Sequence, residues 1–186
     1  MLENDKTKNE AQKLFDDGKT LLDQAIKGKW FDAKATIGFF PANSSGDDII
    51  LHNKKLNLYN LRQQIAKRGK KPNYCLSDFI APIDSGKKDW IGGFAVTAGF
   101  NVEKIGQDFA DNNDDYKSIM IKVLGDRIAD ALAEKMHEKV RTELWRYEKN
   151  EDLKNEDLIK EKYIGIRPAP GYPSCPSIQR RLFQKN

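Results

Sequence analysis

The stretch DDYKSIMIKVLGDRIADALAEKMHEKVRTELWRY, from Asp114 to Tyr147, decides the fold. Tyr116, Ile119/Met120, Val123/Leu124, Ile128, Ala131/Leu132, Met136, Val140, Leu144 and Tyr147 recur at helical spacing throughout. The spacing predicts one helix over about 114–147, about 50 Å long at 1.5 Å per residue, lying across a sheet that buries its stripe. The sheet has to come from the residues before it. Ala33 to Phe40 reads as a strand, closed by a turn over Pro41-Ala42-Asn43-Ser44-Ser45-Gly46. Asp47 to His52 and Lys55 to Leu61 read as a short hairpin around Asn53. Asp89 to Phe100 is apolar on both faces, which predicts a central strand, and the pair Gly92-Gly93 predicts a close neighbour on one side. A helix over residues 7–27 ends at Gly28, a short one capped by Asn101 runs to about Asp111, and one from Asn155 ends near Gly165. Strands precede long helices, so the fold class is α+β rather than a doubly wound sheet.

At 186 residues the chain is long enough for one sizeable core, and one domain is expected. The net charge of +4 comes from 32 basic and 28 acidic residues, without the concentrated basic stripe that nucleic acid binding needs. Only the tail over 177–186, with Arg180, Arg181 and Lys185, is locally basic, and it reads as a solvated end. Two cysteines, Cys75 and Cys175, and two distant histidines, His52 and His137, make no metal-ligand spacing. The thiols fit a reducing, cytoplasmic compartment. The N-terminus is charged and carries no secretory h-region, and no apolar run is long enough to span a bilayer.

Two features carry candidate chemistry. Asp126, Asp130, Glu134 and Glu138 recur every four residues on the long helix, with Arg127 and Arg141 placed to relieve them from i,i+3 positions. The ladder is either a solvated face or an acidic wall for a cationic ligand, and Asp130 is its member nearest the apolar stripe. The second feature is Arg167-Pro168-Ala169-Pro170-Gly171-Tyr172-Pro173, continuing to Cys175-Pro176, which holds four of the seven prolines. Proline fixes φ and extends the residue before it. The result is a stiff ribbon with one soft joint at Gly171, carbonyls outside any sheet ladder, and a guanidinium suited to a carboxylate. It reads as a surface linker or as a ligand strip that loses little entropy on binding. Glu161, six residues before Arg167, either pairs with it or grips the opposite end of a zwitterion. No catalytic triad spacing and no glycine-rich phosphate loop are present.

Several stretches together resemble one family. They are Gly38-Phe39-Phe40-Pro41-Ala42-Asn43 before Gly46-Asp47-Asp48-Ile49, Leu61-Arg62-Gln63-Gln64, and Tyr74-Cys75-Leu76-Ser77-Asp78-Phe79 with Ala81-Pro82. Ser85-Gly86 with Asp89-Trp90-Ile91-Gly92, Asp114-Asp115-Tyr116, His137-Glu138-Lys139-Val140-Arg141 and Gly165 to Pro173 complete the set. In this order, over nearly all of residues 10–176, they resemble the activation domain of cobalamin-dependent methionine synthase. The resemblance implies a curved antiparallel sheet covered by helices. It also implies S-adenosylmethionine binding and docking over a separate cobalamin-carrying domain. There, flavodoxin or another reductase supplies an electron to cob(II)alamin and the adenosylmethionine methyl group restores methylcobalamin.

Carried over by position, Arg167 holds the ligand carboxylate, Ala169 and Gly171 offer backbone contacts, Tyr172 faces the cobalamin side, and Asp130 and Glu161 are acids of the site. Catalytic residues and a metal are not expected in this chain alone. Relative to the family pattern, a ligand-contacting acid upstream and strands with a site aromatic downstream are missing. The expectation is therefore an activation-type domain over 1–176, shortened at both ends, with an open sheet edge able to pair two copies. A remnant or interaction module that keeps the fold without binding ligand is the alternative.

Overall fold

The structure is a computed structural model that describes residues 5–53, 56–67, 69, 71–169, 171 and 184–185. The chain divides into two compact units, Met1–Thr36 with Phe94–Glu151 and Ile37–Gly93 with Asp152–Asn186. Strands β1 (Lys34–Ser45), β2 (Asp48–Leu51), β3 (Leu56–Leu58), β4 (Asp89–Thr97) and β5 (Gln184–Lys185) form one sheet in the order β4-β1-β2-β3-β5. The β1–β2, β2–β3 and β3–β5 pairs are antiparallel. With the helices this is the α+β class expected from the sequence.

The first unit is mainly helical: α1 (Asp5–Lys27), α2 (Asn101–Asp111) and α3 (Asp115–Lys139). Leu21 and Ala25 of α1 are buried against Met120 and Ile121 of α3, with Trp30, Phe31, Ile105, Phe109 and Leu124 around them. Trp30 meets the Phe109 ring edge to face at 5.9 Å, the geometry that aromatic quadrupoles favour. The Asp114 side chain caps α3 by accepting from the Lys117 N–H at 3.0 Å. α2 starts without a side-chain cap, since Phe100 and not Asn101 occupies the N-cap position.

The long helix is there, and it ends in a π-helical turn over Val140–Leu144, close to its predicted end. Its buried face differs from the predicted stripe. Ser118, Met120, Ile121, Gly125 and His137 are buried, whereas Tyr116, Ile119 and Val123 are exposed. Adjacent apolar pairs such as Ile119/Met120 fit either of two neighbouring faces of a 3.6-residue helix. Packing on α1 and α2 selects the Met120–Ile121–Leu124 face.

In the second unit β1 runs through Pro41 to Ser45, where a turn was expected. Proline lacks only the donor. The Pro41 carbonyl accepts from the His52 N–H at 3.0 Å, so the strand continues. The buried polar residues that read as turn formers are satisfied sideways. The Asn43 Nδ2 donates to the Ala81 and Lys87 carbonyls at 2.9 and 2.8 Å, and the Ser44 hydroxyl donates to the Ile80 carbonyl at 2.9 Å. The chain turns instead at Gly46-Asp47, between paired Ser45 and Asp48, with Gly46 at φ +61°. Glycine at that position makes a two-residue hairpin loop possible.

Ala42, Ile49 and Leu51 form the core, packed by Phe40, Leu56, Leu58, Leu76, Ile80 and Ile91. Fully buried Cys75 donates its thiol to the Asp47 carbonyl at 3.4 Å. The Arg62 guanidinium ties the irregular stretch after β3 to Asp47, Asp78 and the Asn73 carbonyl. Its hydrogen bonds hold the Asp78 carboxyl below the usual aspartate range.

Strand β4 is outermost among the described residues, not central as predicted. Ile91, Phe94 and Val96 are half-buried, while Trp90, Gly92, Gly93 and Ala95 are exposed. A Cβ at Gly93 would meet nothing within 4 Å among the described residues, so the close neighbour predicted from the paired glycines is not seen there. Gln184 and Lys185, read from sequence as part of a solvated tail, pair with Asn57 and Leu56. Among the described residues no helix is long and apolar enough to cross a membrane.

Candidate functional site

Helix α4 (Asn155–Ile159) delivers the candidate ribbon. It stops six residues short of the expected end because its C-terminus is capped. The Lys162 N–H donates to the Asp157 carbonyl and the Glu161 N–H to the Leu158 carbonyl, both at 3.0 Å. That pair of bonds is the Schellman pattern, whose left-handed position is normally glycine. Here it is Glu161, at φ +52°. For a residue with a Cβ the left-handed region costs roughly 1–2 kcal/mol. The Lys162 ammonium donates to Asp157 Oδ1 at 2.8 Å, and the Lys154 N–H donates to Asp157 Oδ2 at 3.3 Å. The Lys162 bond, then the Lys154 bond, hold the Asp157 carboxyl below its ordinary value.

From Ile166 to Ala169 the chain is neither helix nor strand, as the proline spacing predicts. Arg167 and Pro168 are half-buried, with the guanidinium Nε fully buried. Ala169 and Gly171 are exposed, and Gly171 has φ +98°. Tyr172, together with Pro170, Pro173 and Cys175, lies outside the described residues.

Asp130 sits on α3 in the first unit, whereas Glu161, Arg167, Ala169 and Gly171 belong to the second. Its side chain is 72% exposed and pairs with Arg127 at 3.2 Å, so it does not border the buried face as expected. At 100° per residue, Asp130 lies 200° from both Ile128 and Leu132 of the apolar stripe. The acidic ladder is laced by ion pairs, Asp130 with Arg127 and Glu138 with Lys135 at 2.8 Å. Arg141 is drawn electrostatically to Glu134 of the ladder.

Arg141 also forms a buried fork with Glu151, both nitrogen–oxygen distances being 2.5 Å. Sequence reading missed this pair, although Arg141 lies in the recognised stretch His137 to Arg141. Its partner is ten residues away, beyond the helix, where no periodicity points. His137, one turn earlier, is 4% exposed. Among the described residues no group of three histidine, cysteine or acidic side chains could hold a metal ion. An open cleft of about 420 Å³ in the second unit, bounded by Ser44, Ser77, Asp78, Pro82 and Asp84, contains none of the sequence-predicted site residues.

Comparison with known proteins gives two findings. Residues 1–184 match the family described as "Vitamin B12 dependent methionine synthase, activation domain". The chain is also similar to a solved structure described as "Crystal Structure of the MetH Reactivation Domain bound to AdoHcy", at 47% sequence identity with a TM-score of 0.85. The match covers 94% of this chain and 55% of that one, so this chain spans about half the length of that relative. The chain belongs to the vitamin B12-dependent methionine synthase activation-domain family.

Proposed function

We propose that the chain is an S-adenosylmethionine-binding module for the reductive reactivation of cobalamin-dependent methionine synthase. The observation that carries this reading is the 47% identity, over 94% of the chain, to a reactivation domain bound to AdoHcy. AdoHcy differs from adenosylmethionine by one methyl group and the sulfonium charge. It shares the carboxylate, the ammonium and the nucleoside.

In this reading Arg167 receives the ligand carboxylate, a pairing of planar fork with planar anion. Its half-buried position supports the role, since a screened surface charge contributes little. Ala169 and Gly171 offer backbone groups from a segment outside any sheet ladder. Glu161 is the acid of this unit that favours the ligand's ammonium. Bound adenosylmethionine supplies an electrophilic methyl group for a cobalamin held on a partner domain. This chain's residues bind and orient it. The partners are that cobalamin-binding domain and a reductase such as flavodoxin. Pairing of two copies along β4, the outermost strand among the described residues, is a further part of the proposal, checked by sedimentation equilibrium.

Isothermal titration of the 186-residue chain with S-adenosylmethionine and S-adenosylhomocysteine tests the reading. Saturable binding is expected, weakened about tenfold to a hundredfold in Arg167→Ala, the cost of losing charge-assisted hydrogen bonds. No heat from folded wild-type protein would overturn it and favour an interaction module that keeps the fold without the ligand.

A further inference from the structure

We propose that Asp157 and Lys162 are positioning residues that hold Glu161 in its left-handed conformation and so present its carboxylate to the cationic end of the adenosyl amino acid. The inference rests on the reading of Glu161 as a ligand contact.

Helix α4 has five residues, too few to be stable through its own propagation. One side chain ties both of its ends. Asp157 Oδ2 accepts from the Lys154 N–H before the first turn, and Oδ1 accepts from the Lys162 ammonium beyond the last. The Asp157 carbonyl also accepts from the Lys162 N–H. Asp157 and Lys162 are therefore joined twice, through backbone and side chain, and Glu161 sits inside the loop they close. A glycine at 161 would adopt φ +52° unaided. Lys29 takes φ +52° on the same pair of backbone bonds, whereas at Glu161 the Asp157–Lys162 side-chain bond is added to them, and a residue held in this region by its surroundings is a candidate working position. Its side chain is exposed, and among the described residues no hydrogen bond or ion pair uses the carboxylate.

Without the clamp, Glu161 spends part of its time in an ordinary conformation. Apparent affinity then falls in proportion to the competent fraction. Lys162→Met is expected to weaken S-adenosylhomocysteine binding about threefold to tenfold, with Lys162→Arg restoring it. Asp157→Ala weakens it at least as much but also frays α4, so Lys162→Met, which keeps the Lys154 tie, is the decisive variant. Introduced into Glu161→Gly, Lys162→Met should cause no further loss, because its effect acts through the Glu161 side chain. In ligand-free protein the HN–Hα coupling of Glu161 should report a positive φ in the wild type and an averaged value in Lys162→Met. Unchanged coupling and affinity in Lys162→Met, or an equal further loss in the Glu161→Gly background, would overturn the proposal while leaving the adenosyl-ligand reading intact. Wild-type protein that binds no adenosyl ligand would remove that reading and this inference together.

Discussion

Arg141 and Glu151 make a bidentate ion pair whose side chains are 0% and 5% exposed. The pair folds the chain back at the end of α3. The Glu148 N–H reaches the Arg141 carbonyl at 2.9 Å, and the π-helical turn delivers the Trp145 and Arg146 N–H groups to the Val140 carbonyl. Desolvating both charges makes the pair costly to break from one side, by about 3–5 kcal/mol, because the other charge stays buried. Arg141→Met should lower stability by that amount, read from urea midpoints. Arg141→Met combined with Glu151→Leu should recover much of it.

The same pair sets an acid limb. Hydrogen bonds from Arg141 outweigh burial and hold the Glu151 carboxyl below its ordinary value of 4.5. A folded pKa below the unfolded one means that the pair stabilises above the unfolded value and stops doing so as pH falls through the folded value. Glu151→Gln should therefore be less stable than wild type at neutral pH, and the two should converge on acidification. Chemical denaturation at a series of pH values checks the convergence.

The Asn43 amide fixes the histidine beside it. Its Nδ2 is committed to two carbonyls, which can only accept, so its Oδ1 must accept from His52 Nε2 at 2.8 Å. His52 should therefore carry its proton on Nε2 when neutral, which long-range ¹⁵N–¹H NMR reads directly. Asn43→Asp should cost about 3 kcal/mol or more at neutral pH, since a carboxylate offers no donor to the Ala81 and Lys87 carbonyls. Lowering the pH should recover part of the loss as the new carboxyl protonates. Melting temperatures at pH 5 and pH 8 test the sign.

The fold was legible where a single period governed a segment. The spacing from Tyr116 to Leu144 gave the long helix, and Asp47 to His52 with Lys55 to Leu61 gave the β2–β3 hairpin. It was not legible where buried polar groups decide the conformation. Pro41 to Ser45 reads as a turn until Ala81 and Lys87 supply acceptors from forty residues away. At the proposed site, proline spacing foresaw the irregular backbone seen from Ile166 to Ala169, and the charge types made Arg167 and Glu161 candidates. The left-handed backbone of Glu161 could not be read, because its side chain gives no sign of the Schellman bonds beneath it. The buried role of Arg141 was hidden for a related reason: its partner is fixed by a loop path rather than by helical spacing.

Gly99 marks where Ala98 meets Asp32, whose N–H donates to the Ala98 carbonyl at 3.1 Å. Its φ is +114°, and a Cβ there would lie 2.7 Å from the Asp32 nitrogen and 2.9 Å from its carbonyl oxygen. Backbone atoms cannot step aside as a flexible side chain can. Gly99→Ala should therefore combine a steric clash with a forbidden dihedral and cost about 2–4 kcal/mol. The urea midpoint should fall with an unchanged slope, which marks lost stability rather than a changed unfolded state.

Glu161→Gly should act in the opposite direction. Glycine meets φ +52° without the roughly 1–2 kcal/mol that a Cβ pays there. It also adds unfolded-state entropy, which offsets part of the gain. The net expectation is a protein more stable by up to about 1 kcal/mol, seen as a melting temperature raised by a few degrees for a chain of this size. The same variant removes the carboxylate proposed to meet the ligand ammonium, so adenosyl-ligand affinity should drop as stability rises. A gain in stability with weaker binding would mark Glu161 as a position held for function at the expense of the fold. A loss of stability would show that the glutamate side chain supports the turn in some way that outweighs its backbone strain.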